Sequence, residues 1–278
     1  MAAYLRPETL DDALAALAAD PALRIVAGGT DIYPALAEAA PRTPMLDLTA
    51  LPLRGMSRTP EGWRIGALTT WADILRADLP PGFAGLQQAA REVGSPQIQA
   101  VGTIAGNIVN ASPAADGTVA LMALGATVEV AGPAPRRVGL AEFVQGPRRV
   151  ALKPGELVVA VHVPDPGPGV AGFLKLGARK YLVISIAMVA ANLRIEQGRI
   201  VQAGIAVGSC APVARRLLAL ETRLVGVAPA QAAALVRASD ADALAPISDV
   251  RAGAAYRRDA VPVLVARLLD RLAQEAAR

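Results

Sequence analysis

The sequence predicts an α+β protein, with helices and strands mixed through its first two thirds and an antiparallel hairpin in its last third. Three observations carry this. Apolar residues recur at helical spacing near the start, at Leu10, Ala13, Leu14 and Leu17. Two loops of small residues, Ala27-Gly28-Gly29-Thr30-Asp31 and Thr103-Ile104-Ala105-Gly106-Asn107, stand at strand-to-helix or loop-to-helix junctions. Two apolar runs, 184–195 and 200–207, flank Glu196-Gln197-Gly198-Arg199, a strong hairpin signal.

Taken in order, Thr9 caps the first helix and Asp20-Pro21 ends it. A short strand over 23–27 then runs into Gly28-Gly29, a second helix covers about 32–39, and 45–48 reads as a strand. A new unit opens near Met56, with a strand at 62–66 and a helix over 71–77 capped by Thr70. Residues 83–93 are helical up to Gly94. A glycine-rich loop, 102–110, leads into a helix over 114–124, and strands follow at 127–130 and 157–163. The texture changes after Pro164-Asp165-Pro166-Gly167-Pro168-Gly169, which places a domain boundary near 165–172. Helices are expected over 212–224, with Pro212 near its first position, and over 261–278.

Composition narrows the function. The chain has 278 residues, enough for about two domains. Its net charge of +4 comes from interleaved Arg and acidic residues rather than a basic stripe, so a solvated mixed surface is expected and no nucleic-acid partner. A single cysteine, Cys210, excludes a disulfide framework and any protein-built iron–sulfur or Cys-rich zinc site. The single histidine, His162, sits in an alternating run and reads as a strand residue, which leaves hydrolytic triads without a base. No apolar stretch approaches the roughly 20 residues that span a bilayer. The N-terminus lacks a secretory pattern, so a soluble, cytoplasmic protein is expected.

The two glycine loops are where chemistry can sit. Glycines let backbone approach a bulky anion, and free N–H groups with hydroxyls supply hydrogen bonds to it. Two such loops converging could hold a pyrophosphate. The same residues also make ordinary turns and caps, and on spacing alone both readings stand. No Gly-Lys pair exists for a P-loop. The literal G-x-G-x-x-G at Gly167, Gly169 and Gly172 lies among prolines without a following helix, and is read as a decoy.

Ala27-Gly28-Gly29-Thr30-Asp31 resembles the first cofactor loop of the flavoprotein subunits of the xanthine dehydrogenase and carbon monoxide dehydrogenase family of molybdenum hydroxylases. The segment from Ser95 to Asp116 resembles that family's second loop. Phe173-Leu174-Lys175-Leu176-Gly177-Ala178-Arg179, the run 187–192 and the run 208–215 resemble its C-terminal domain, in the expected order. The resemblance implies a vanillyl-alcohol-oxidase (PCMH)-type FAD-binding domain over 1–170, with subdomains about 1–55 and 56–170. A smaller antiparallel α+β C-terminal domain follows over 171–278.

The resemblance also implies FAD as the cofactor, with molybdopterin and [2Fe–2S] clusters on partner subunits only. It assigns Ile25, Val26, Ala27, Gly28, Gly29, Thr30, Asp31 and Ile32 to the first loop. Thr103, Gly106, Asn107 and Val109 belong to the second, with Ile98 and Gly102 on its approach. Asp116 matches an acidic cofactor contact, Val158 a residue beside the adenine, and Lys175 a lysine near the flavin ring. A lysine there would favour the anionic reduced flavin; the plain alternative for Lys175 is a solvent-facing strand lysine. Where the family commonly has Gly-Gly, this chain has Ala105-Gly106, which is acceptable only if Ala105 keeps a negative φ. Cys210 alone cannot build the extra cluster of the Cys-rich branch of the family.

The implied function is an electron-transfer subunit, working with a small [2Fe–2S] subunit and a large molybdopterin subunit in a heterotrimer that dimerises. The rival is a stand-alone FAD-dependent oxidoreductase of the same fold, for which Tyr33, Tyr181 or Glu156 would have to supply acid–base chemistry. A third reading, an interaction protein that has lost its flavin, rests on Ala105 alone.

Overall fold

The structure, a computed structural model, describes residues 3–36 and 43–278. Its first unit holds β1 (Tyr4–Leu5), α1 (Leu10–Ala19), β2 (Arg24–Val26), α2 (Ile32–Leu36) and β3 (Met45–Asp47). The strands form a parallel sheet in the order β1-β3-β2. Thr9 caps α1 as the sequence suggests, accepting from the Asp12 N–H, and Ala13 and Leu17 turn inward. Of the helix expected over 32–39, residues 37–39 lie outside the described residues.

The second unit is larger. It runs through β4 (Met56–Thr59), β5 (Gly62–Gly66), α3 (Trp71–Arg76), α4 (Ala84–Glu92), α5 (Pro96–Val101), α6 (Ile104–Asn110) and α7 (Asp116–Ala123). It continues with β6 (Thr127–Ala131), β7 (Arg136–Gly139), α8 (Leu140–Phe143), β8 (Val144–Gly146), β9 (Arg149–Val150) and β10 (Leu157–Pro164). An antiparallel sheet of order β4-β5-β10-β6-β7 lies under the helices. Thr70 and Asp73 form a reciprocal capping box on α3. Every residue of α7 is buried, which fits a helix apolar on all sides and central to the core. His162 is a strand residue, as expected, with Nε2 2.5 Å from Glu129 Oε2.

The third unit is the sheet β11 (Gly169–Leu176), β12 (Ala187–Glu196), β13 (Arg199–Gly208) and β14 (Arg215–Arg216), with α9 (Leu218–Leu224) and α10 (Ala254–Ala276). Its hairpin is the one the sequence predicts: Glu196 pairs with Arg199 across Gln197 and Gly198, at φ 50° and 73°. Two consecutive positive φ values suit the right-handed strand twist. The decoy glycines Gly169 and Gly172 are strand residues of β11.

This sheet is apolar on both faces because both are covered. Along β12, Met188 and Ala190 join the core of the second unit, while Ala187, Val189, Ala191 and Leu193 join that of α9 and α10. The alternation has a period of two, as a strand requires. Close packing on α7 demands glycine: a Cβ on Gly204 would lie 2.0 Å from the Ala123 carbonyl oxygen.

Three sequence expectations are corrected. The loop over 102–110 is mostly helix, since Thr103 caps α6 and Gly106 is helical; a further helix, α5, precedes it and is capped by Ser95. The helix expected over 212–224 is the edge strand β14 followed by α9. Residues 215–216 pair with Ala206 and Val207, and Arg216 bonds Glu221 and the Ala203 carbonyl. Tertiary pairing there overrides the Pro-led helix signal. Finally, α10 starts at Ala254 and not at 261, carrying Pro262 inside it at the loss of one helix hydrogen bond.

Candidate functional site

The two glycine loops meet. β2 delivers Ala27-Gly28-Gly29 into a turn, and α5 delivers Gly102 into the cap of α6. A Cβ on Gly28 would sit 1.9 Å from the Val101 carbonyl oxygen, so only glycine permits this approach. Gly29 adopts φ +69°, where an added Cβ would also strike the Tyr33 ring at 2.2 Å. The N–H groups of Gly28, Gly29, Thr30 and Asp31 donate to no acceptor among the described residues. Backbone donors left without partners are costly unless solvent or a ligand accepts from them.

Between the loops lies a cleft of about 530 Å³. Its floor is apolar, with Leu48, Leu68, Trp71, Leu157 and Val158, and its rim is polar. Of the residues assigned by resemblance, all but three line it: Ile25, Ala27 through Ile32, Ile98, Gly102, Thr103, Gly106, Asn107, Val109 and Val158. Val26 is 1% exposed and packs behind the first loop. Thr103 Oγ1 is taken by the Gly106 N–H at 3.1 Å, and Asn107 Oδ1 accepts from Thr118 at 3.3 Å.

Asp116 and Lys175 do not line this cleft. They find each other, Nζ to Oδ2 at 3.0 Å, linking α7 to β11, and Ser185 Oγ adds a bond to Asp116 at 3.3 Å. Burial pushes the Asp116 carboxyl up to about 6 against the opposing pull of Lys175. The solvent-facing alternative for Lys175 does not describe a side chain 7% exposed.

Ala105 is helical, and its φ is not positive. Its N–H is used by the Ala67 carbonyl at 3.3 Å. Ala105 belongs to the buried core and also lines the cleft, so the backbone strain that a positive φ would impose is absent while its methyl group remains part of the cleft wall.

Sequence reasoning passed over several wall residues, among them Trp71, Leu152 and Arg148. Arg148 is the one cation on the cleft walls among the described residues. It sits at the tip of the β8–β9 hairpin at φ +58°, where its N–H donates to the Ala111 carbonyl. Its guanidinium lies 3.6 Å from Asp31 and bonds Asn110, bridging the two loops. Pro147-Arg148 between two short runs is a turn signal, but nothing local says that the turn faces residues 31 and 110. The acid–base candidates of the rival reading lie off the walls. Tyr33 and Tyr181 are exposed, and Glu156 is held by Arg136. Burial raises the Glu156 carboxyl, yet its bonds to Arg136 and the Lys153 N–H outweigh this and leave it below the usual range.

Comparison with known proteins decides the family. Residues 1–166 match the family model described as the FAD binding domain in molybdopterin dehydrogenase, and residues 173–272 match the CO dehydrogenase flavoprotein C-terminal domain. The chain belongs to this family of FAD-binding flavoprotein subunits. It is 31% identical to the glyceraldehyde dehydrogenase medium chain of Sulfolobus acidocaldarius, over 97% of this chain and 98% of that one. It is likewise 31% identical to the carbon monoxide dehydrogenase medium chain of Afipia carboxidovorans, covering 96% and 95% of the two chains. Among solved structures, a chain of the Cu,Mo-CO dehydrogenase superposes with a TM-score of 0.87 at 30% identity, covering 99% of this chain and 98% of that one. Quinoline 2-oxidoreductase from Pseudomonas putida 86 gives a TM-score of 0.87 at 27% identity, over 100% and 99%. The α+β flavoprotein fold and the FAD cofactor thus stand on the match as well as on the cleft, whose glycine cradle and N–H groups without an acceptor among the described residues fit a dinucleotide. Among the described residues, no helix is long and apolar enough to cross a membrane.

Proposed function

We propose that this oxidoreductase-family chain is the electron-transfer subunit of a multi-subunit molybdenum hydroxylase, and that it is active only within that complex. The observation that carries the reading is the cleft: two loops in backbone contact, four unpartnered N–H groups and an apolar floor. FAD held there by the two glycine loops would supply redox chemistry, coupling [2Fe–2S] clusters on a small partner subunit to an external acceptor. The molybdopterin site belongs to a large partner subunit.

The chain's own part is to bind, orient and exclude water. The N–H groups of residues 28–31 are the donors for pyrophosphate oxygens, with Thr103 and Asn107 at the facing helix start. Ile25, Ile98, Val109 and Val158 supply apolar walls for the rings. Asp116 and Lys175 act on the flavin as a pair, each moderating the charge of the other. Residues 1–170 form the FAD-binding unit, in subdomains about 1–55 and 56–170, and 171–278 the C-terminal unit. The assembly is a cytoplasmic heterotrimer that dimerises.

The test is to purify the chain alone and together with its candidate small and large subunits, and to compare visible spectra. Flavin absorbance in both samples, with iron–sulfur absorbance and substrate-driven bleaching of the flavin only in the assembled one, supports the reading. Substrate oxidation by the isolated chain would overturn it in favour of a stand-alone flavoenzyme.

A further inference from the structure

The first glycine loop has two close neighbours, and only one of them is backbone. Gly28 abuts the Val101 carbonyl, at the end of α5. The neighbour of Gly29 is a side chain. The three atoms closest to where its Cβ would lie all belong to the Tyr33 ring, Cε2 at 2.2 Å, Cδ2 at 2.5 Å and Cζ at 3.4 Å. The Tyr33 N–H also donates to the Gly29 carbonyl at 3.0 Å, beside that of Ile32 at 3.1 Å. Tyr33 thus touches Gly29 through both ring and backbone, yet it is not one of the cleft walls. Its hydroxyl end has a neighbour too. The Asp47 hydrogen bond first, then burial and the nearby Tyr33, push the Tyr4 phenol up to about 12. Tyr4 therefore stays a donor to Asp47 Oδ2, at 2.5 Å, and ties β1 to β3 beside the Tyr33 ring.

We propose that Tyr33 is a positioning residue for the cofactor: its ring and its N–H hold Gly29 in the turn that presents the N–H groups of residues 28–31 to the cleft. The proposal rests on the reading of those groups as pyrophosphate donors. Two consecutive glycines make a very flexible backbone, and φ +69° is a region that glycine enters and leaves without steric cost. Glycine there lets an anion approach but does nothing to keep the turn in place. α2 cannot do so alone, since five residues with Pro34 among them fall well below the length at which a helix is stable by itself. An aromatic ring laid on Gly29 supplies the restraint without a Cβ at the strained position. A loop already in its binding shape gives up less freedom when the ligand arrives, so the restraint is read as affinity. Tyr33 needs no contact with the cofactor to do this. The plain alternative is a tyrosine that only covers the first unit. Stability and affinity would then fall together when it is removed, and the turn would keep its shape without the ring.

The test compares Tyr33→Ala and Tyr33→Phe with the native full-length chain. FAD is titrated into each flavin-free chain by fluorescence, and the urea unfolding midpoint is measured without flavin. With isotope-labelled glycine, the Gly29 Hα signals are read by NMR, also without flavin, because a ring packed on Gly29 displaces them by its ring current. The expected result is FAD binding weakened about tenfold or more in Tyr33→Ala and within about twofold of native in Tyr33→Phe. Unfolding midpoints should be unchanged, since Tyr33 is already 50% exposed. The Gly29 displacement should be present in the native and Tyr33→Phe chains and lost in Tyr33→Ala. If the alanine chain does not fold, Tyr33→Leu takes its place, with the same loss of displacement and a several-fold loss of affinity. Native-like FAD binding by the alanine or leucine chain would overturn the proposal. So would an affinity loss that only follows a lowered midpoint, or undisplaced Gly29 signals in the native chain. A native chain that shows the displacement but binds no FAD would keep Tyr33 as the brace of the turn and sink the reading of the cleft.

Discussion

Replacing Lys175 with Met isolates the Asp116 carboxyl inside the protein. The native pair is buried, with side-chain exposures of 7% and 9%. Burial raises Asp116 from 3.8 to about 6, with Lys175 opposing the rise. An acid raised on folding contributes its stability fully below the unfolded value and loses it as the pH climbs through the folded value. In the native chain that loss is therefore complete a little above about 6. Without Lys175 the carboxyl ionises at higher pH still, and the variant keeps losing about 1.4 kcal/mol per pH unit where the native chain is flat. The upper bound is the roughly 3–5 kcal/mol of an unpaired buried charge. Urea unfolding at about pH 5.5 and about pH 8 measures the difference. The gap between native chain and Lys175→Met should widen by up to about 2.7 kcal/mol over that interval, and should not widen in Lys175→Met/Asp116→Asn. A gap of equal size at both pH values would refute the reasoning.

Three further outcomes follow from the same geometry. Gly28→Ala drives a methyl group to within 1.9 Å of the Val101 carbonyl oxygen, so the loops must part; we expect at least a tenfold drop in retained flavin, read by absorbance, and a destabilisation of about 1–3 kcal/mol. Arg148→Gln should leave the unfolding free energy within about 1 kcal/mol, because the Arg148–Asp31 pair is exposed, yet should weaken FAD binding several-fold in a fluorescence titration at low salt. Cys210 is fully buried, and burial pushes its thiol up to about 11, so a maleimide should label it only after denaturation; rapid labelling of the native chain would contradict the packing around it.

The elements legible in the sequence are those whose signals are local. Thr9 and Thr70 announce helix starts, and Gln197-Gly198 announces a hairpin, because capping and positive φ are decided within a few residues. Ser95 and Thr103 are equally good caps, but the glycines around them read as loop and hide α5 and α6. β14 was illegible for a different reason: it exists because Ala206 and Val207 offer an edge, which no local pattern encodes. The candidate site divides in the same way. Its glycine loops were found by their residues. Arg148, Trp71 and Leu152 reach the cleft from distant turns and helices, and their part is set by tertiary packing. The pairing of Asp116 with Lys175 likewise spans two units of the fold, so each could be singled out from the sequence but not joined.

The central claim is that the glycine loops hold FAD. The direct measurement is to denature the purified native chain and identify and quantify whatever cofactor is released, with Gly28→Ala treated in parallel. The account predicts FAD at close to one per native chain and far less from the variant. No flavin from the native chain, or equal FAD from both, would contradict it.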